Sequence, residues 1–150
     1  MHEGRYADIR ETHCAVVVFL GDRAYKLKKP VDLGFLDFRT RAARERACRR
    51  ELELNRRFAP DVYLDTLDVV GPDGAPCDHL LVMRRMPEAR RLATLVVEGV
   101  DVDDDLRRLA RLLAVSHAAA ETGPEIATEG RPTALRDRWT ANIAAVRSHA

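Results

Sequence analysis

The chain lacks long apolar runs, paired cysteines, net charge and, almost entirely, lysine; each absence excludes a class of function. No segment approaches the roughly 20 consecutive apolar residues of a membrane helix. Met1-His2-Glu3-Gly4-Arg5 is not followed by the apolar core of a signal peptide. A cytoplasmic protein without membrane contact is therefore expected. Cys14, Cys48 and Cys77 are odd in number and far apart, with no Cys-x-x-Cys pair and no metal-ligand spacing to the five histidines. They read as free, mostly buried thiols. Lysine plus arginine number 25 against 24 aspartates plus glutamates, leaving a formal charge of +1 and no global field for a polyanion. Arg49-Arg50, Arg56-Arg57, Arg84-Arg85 and Arg90-Arg91 fall on different elements among acids, so nucleic-acid binding is not expected.

The lysine shortage is uneven. Only three of the 25 basic residues are lysine, and all three stand in Lys26-Leu27-Lys28-Lys29. A site there that needs a compact ammonium would account for this; chance clustering in an arginine-biased chain is the plain alternative.

With 150 residues, 46% of them hydrophobic, the chain can bury roughly two thirds of its unfolded surface, enough for a stable domain. Ala15 to Leu20, the turn Gly21-Asp22 and the alternating Arg23 to Lys28 predict a β-hairpin, with a short strand before it near Ile9 to Thr12. Pro30 ends the second strand and Val31 to Phe38 reads as a loop. Thr40 opens a helix that runs to about Phe58. Val62 to Val70 and His79 to Met86 flank Gly71-Pro72-Asp73-Gly74 as a second antiparallel pair. Beyond Pro87 only helices are expected: Leu92 to Val97, a longer one opened by Asp103-Asp104-Asp105, then a polar connection from Thr122 to Pro132. A last helix carries Trp139, Ile143 and Val146. The fold class is α+β, with an antiparallel sheet plus one helix in residues 1–87 and a helical lobe in 88–150. Ala141 to Ala150 has neither Gly cap nor Pro stop, so that lobe is expected to be partial.

On the helix opened by Thr40, residues Ala43, Ala47, Leu54 and Phe58 define an apolar stripe expected to face the sheet, and Glu51 completes their spacing. Glu45 and Glu53 stand four residues before Arg49 and Arg57, the favourable orientation for exposed pairs; Glu51 has only Asn55 there. An unpaired buried carboxylate costs several kcal/mol, so a cation from another element is expected to meet Glu51. Strand alternation puts Ala24, Lys26 and Lys28 on one face. Lys26 and Lys28 are the candidates, and Ala24 leaves room for a flat ligand. A phosphate-gripping lysine held by a glutamate on the next helix is the kinase arrangement; the plain alternative is a Glu51 at the stripe's edge and a solvated Lys26.

Several segments carry a family resemblance. Ala24-Tyr25-Lys26 resembles the Ala-x-Lys kinase strand motif, Arg50-Glu51-Leu52 the helix glutamate, and Leu81 to Pro87 the strand and hinge between kinase lobes. Glu11-Thr12-His13, Gly21 to Val31, Phe35-Leu36-Asp37-Phe38 and Glu51 to Pro60 are similar to bacterial aminoglycoside-phosphotransferase-like proteins. The resemblance covers Glu11 to about Met86 and is loose beyond. It implies a kinase-like nucleotide-binding lobe followed by the first helices of a helical lobe. Lys26 would then contact ATP phosphates, Glu51 would hold Lys26, Met83 would back the adenine, and the backbone of Arg84, Arg85 and Met86 would meet the base. It selects Lys26 over Lys28.

No Gly-rich loop precedes Ala15, no His-x-Asp with a following Asn occurs, and Asp37-Phe38-Arg39 precedes the helix. The catalytic base and magnesium ligands are thus expected in a part not contained here, and the 150-residue chain is expected to be inactive alone. It would take a nucleotide and an unidentified small-molecule acceptor, and would self-associate through a face left bare. A non-catalytic binding or scaffold module is the alternative function. His117, on a stripe with Leu106, Ala110, Leu113 and Ala120, is expected to be a packed core histidine. The acids Asp101 to Asp105 suit a helix start without a metal.

Overall fold

A computed structural model describes residues 7–147. The order of elements is β1 (Asp8–Glu11), β2 (Ala15–Leu20), β3 (Arg23–Lys28), α1 (Arg41–Arg56), β4 (Tyr63–Val70) and β5 (Pro76–Arg84). A 3-10 turn at Glu88–Arg90, then α2 (Leu92–Val97), α3 (Asp103–Ala118), α4 (Pro124–Glu129) and α5 (Pro132–Arg147) follow. The protein is α+β, and its five strands form one antiparallel sheet in the order β1-β2-β3-β5-β4. Two compact units divide within α3, one reaching Arg107 and the other beginning at Arg108.

Local chemistry accounts for the hairpins. Gly21, at φ 58°, opens the two-residue turn between β2 and β3, where a left-handed backbone matches the twist of the strands. Thr40 caps α1, its hydroxyl accepting from the Ala43 amide at 3.1 Å. α1 packs on β4 and β5. Leu81, at the centre of β5 between its partners Lys26 and Thr66, is fully buried. Leu81→Ala is expected to cost about 2–5 kcal/mol in denaturant unfolding; a loss below about 1 kcal/mol would place the core elsewhere.

α1 is turned from its expected seating. The stripe expected to face the sheet has half-exposed members, Leu54 and Phe58 among them. Arg44 and Cys48 are the buried residues, with Glu51 and Asn55 following at the same helical spacing. This is a shift of one residue, roughly 100° about the axis. Its cause is polar. Arg44 donates to Asp78 at 3.0 Å and to the carbonyls of Phe38 and Arg39 at 2.9 and 3.1 Å, and so buries a guanidinium that hydropathy assigns to solvent.

Three further expectations are corrected. The stretch from Thr122 to Pro132 contains α4, because Pro124 at the first turn presets the backbone. His117 and the Leu106, Ala110, Leu113 stripe are exposed rather than core. Of the thiols only Cys48 is buried, with Cys14 intermediate and Cys77 exposed at the edge of the β4–β5 hairpin; all three are free. In the second unit α4 lies against α5, Arg138 reaches Glu129 at 2.9 Å, and Trp139, Ile143 and Val146 remain exposed. Among the described residues no helix is long and apolar enough to cross a membrane.

Candidate functional site

The alternation of β3 sends Ala24, Lys26 and Lys28 to the sheet face that α1 covers at one end, and α1 sets Glu51 over the two lysines. One carboxylate serves both. Lys26 Nζ lies 2.8 Å from Glu51 Oε1 and Lys28 Nζ 2.7 Å from Oε2. The two lysines differ in surroundings. Lys28 has a side chain only 7% exposed and also sits 5.0 Å over the Phe38 ring, whereas Lys26 keeps 27% of its side chain open. Lys29 turns to the other face and pairs with Glu11.

Two ammonium groups against one carboxylate leave the cluster with a net charge of +1. Burial alone would raise the Glu51 carboxyl; the hydrogen bonds and charges of Lys26 and Lys28 outweigh it and hold the group below the usual carboxylate range. Glu51 stays ionised, so the surplus positive charge is retained. Such a cluster can neutralise Glu51 through Lys28 and offer Lys26 to an anion.

The same sheet face continues to a cavity. Ala24 is opposite Phe19 on β2 and Met83 on β5, two residues along from the Lys26 position, roughly 7 Å at the rise of a strand. Beyond it, Asp8, Arg10, Phe19, Gly21, Asp22, Arg85, Met86, Pro87 and Glu88 line a cavity of about 400 Å³. The guanidinium groups of Arg10 and Arg85 both lie over the Phe19 ring, 5.5 and 5.0 Å from its centre. Arg10 pairs with Glu88 at 3.0 Å and Arg85 approaches Asp8 at 3.7 Å. Arg91, by its hydrogen bond, is the chief cause holding the Glu88 carboxyl low; burial opposes it and Arg10 adds to it.

Lys26 and Glu51 are thus in direct contact, and Ala24 and Met83 are direct partners across β3 and β5. Arg85 and Met86 line the cavity. Arg84 does not: its amide donates to Val62 O and its guanidinium turns to Asp61 at 2.7 Å. Sequence reasoning missed the Phe19, Arg10 and Glu88 walls, which come from segments up to 78 residues apart. It also treated Lys28 as a rival of Lys26, where the two share Glu51. Asp37 belongs elsewhere, held down to about 2 by Arg39 in its own loop.

No family model matches the chain, and no solved structure matches it. It is similar to the uncharacterized proteins Rv2004c of Mycobacterium tuberculosis and Mb2027c of Mycobacterium bovis, at 46% identity over 145 residues in each case. The match takes in 97% of this chain and 29% of each relative, so the chain spans less than a third of their length.

Proposed function

We propose that the first unit is the nucleotide-binding lobe of a kinase-like small-molecule phosphotransferase of the aminoglycoside-phosphotransferase-like kind. The observation that carries this reading is the Lys26–Glu51–Lys28 cluster, in which both lysines bond one glutamate and Lys26 alone keeps its side chain partly open, where it would meet a phosphate. The cavity beside Phe19, Arg85 and Met86 is large enough for a base. Phe19 in its wall is the strand partner of Ala24, on the same sheet face as Lys26, so a triphosphate would run along that face from one to the other. In this reading Met83 backs the base across Ala24, and Arg85 and Met86 meet it.

Magnesium would screen phosphate charge when bound. Among the described residues no group of three or more acidic, His or Cys side chains could hold a metal, so no step is assigned to it. What this chain does itself is bind and orient: Lys26 grips, Glu51 fixes the Lys26 rotamer, and Lys28 keeps Glu51 charged. The chain alone is expected to bind nucleotide weakly and to transfer no phosphate.

Calorimetric titration with ATP, tripolyphosphate and adenosine tests this. ATP and tripolyphosphate are expected to bind with an affinity that falls as salt rises, and adenosine more weakly and without salt dependence. Binding of adenosine alone would assign the site to something other than phosphates.

A further inference from the structure

His79 is not used by the nucleotide reading, and its surroundings are unusual. It is 5% exposed, on β5, between two carboxylates from different elements. Nδ1 lies 2.8 Å from Asp68 Oδ1 on β4, and Nε2 lies 3.6 Å from Glu45 Oε2 on α1. Nε2 is the one buried side-chain nitrogen or oxygen, among the described residues, without a hydrogen-bond partner. A carboxylate only accepts, so the Asp68 contact places a hydrogen on Nδ1 and leaves Nε2 of a neutral ring with a bare lone pair. That lone pair faces a carboxylate oxygen. A proton on Nε2 would draw Glu45 in across the 3.6 Å gap to make a charge-assisted N–H···O bond.

We propose that His79 is a proton-operated clamp on α1: protonated, it bonds Glu45 and holds the helix, with Glu51, against the sheet; neutral, it releases that contact.

The neighbouring charges bear on the arrangement. On α1, Arg44 is engaged by Asp78, the other oxygen of Glu45 takes Arg49 at 2.9 Å, and the Cys48 thiol, pushed up by burial, stays neutral 3.9 Å from the His79 carbonyl. On β5, Asp78 also accepts from the His79 amide. From β3 the nearby cation is Lys28, taken by Glu51. Asp68 pairs with no other basic side chain among the described residues, so the His79 ring is the partner it has there. Lys28 shares Glu51 with Lys26, so the surplus charge of that pair opposes a proton on the ring, while Asp68 and Glu45 favour it. The clamp is therefore a positioning device: it acts on Lys26 only through α1 and Glu51, and that consequence rests on the nucleotide reading.

The test is urea unfolding of the unliganded chain and of His79→Gln and Glu45→Gln, between about pH 5 and pH 8, where imidazoles titrate. Differences from the wild type cancel the other histidines. A clamp closed by protonation gives stability present at the acid end and lost as pH rises. The wild-type unfolding constant is expected to rise about tenfold more than that of His79→Gln across this range, and Glu45→Gln should lose part of that extra dependence, the Asp68 contact keeping the rest. Parallel wild-type and His79→Gln curves, or a Glu45→Gln curve that keeps the wild-type slope, would overturn the clamp. Should His79→Gln fail to fold, Glu45→Gln carries the comparison, because it leaves the ring and Asp68 in place. A pH-dependent clamp in a chain that binds no nucleotide would sink the nucleotide reading and leave this one standing.

Discussion

Lys26→Ala is expected to lower ATP and tripolyphosphate affinity about 10- to 100-fold, the loss of one charge-assisted contact, while the chain stays folded. If the proposed function holds, phosphoryl transfer by a chain extended to the relatives' length should vanish with it. Stability survives because Glu51 keeps Lys28, and the open part of the Lys26 side chain is solvated already. Lys28→Ala should do the reverse. It removes a 7% exposed side chain from between Glu51 and the Phe38 ring, and should cost about 3 kcal/mol of stability before any effect on ligand is read. Lys26→Arg should not rescue binding, since a planar guanidinium does not replace a compact ammonium beside a shared carboxylate. Should Lys26→Ala bind ATP as the wild type does, the phosphate role of Lys26 is wrong.

Glu51→Ala is expected to be the most destabilising change in the first unit, about 3–5 kcal/mol, because it strips the counter-charge from two ammonium groups, one of them buried. Glu51→Gln should cost less, keeping shape and an acceptor. The pH dependence has a definite sign. The folded-state carboxyl lies below its ordinary value of 4.5, so its contribution is fully present above that pH and is lost as pH falls through the lower folded value. The stability gap between wild type and Glu51→Gln should therefore be level above about pH 5 and shrink on acidification. A gap that widened in acid would mean that Glu51 is not ionised in the fold.

Much of the local structure was legible. β2 and β3 follow from β-branched alternation around Gly21-Asp22, and α1 begins where Thr40 can cap it. The presence of Glu51 among inward positions was legible too, but for a reason that did not hold. The apolar stripe that included it is half exposed, and Glu51 faces inward along a different line with Arg44, Cys48 and Asn55. Periodicity counts apolar side chains, and this helix docks largely by ion pairs: Arg44 to Asp78, Glu51 to both lysines.

What the sequence determined by itself is therefore whatever neighbours in the chain decide: turns, caps, strand faces, and the concentration of all three lysines on and beside β3. Only the tertiary structure decided the rotation of α1, the sharing of one carboxylate between Lys26 and Lys28, the enclosure of His79 between Asp68 and Glu45, and the cavity joining Arg10 to Glu88. Each of these depends on pairing partners 11 to 78 residues apart. Burying a charge is favourable only when its partner arrives, and no local pattern records which distant group that will be.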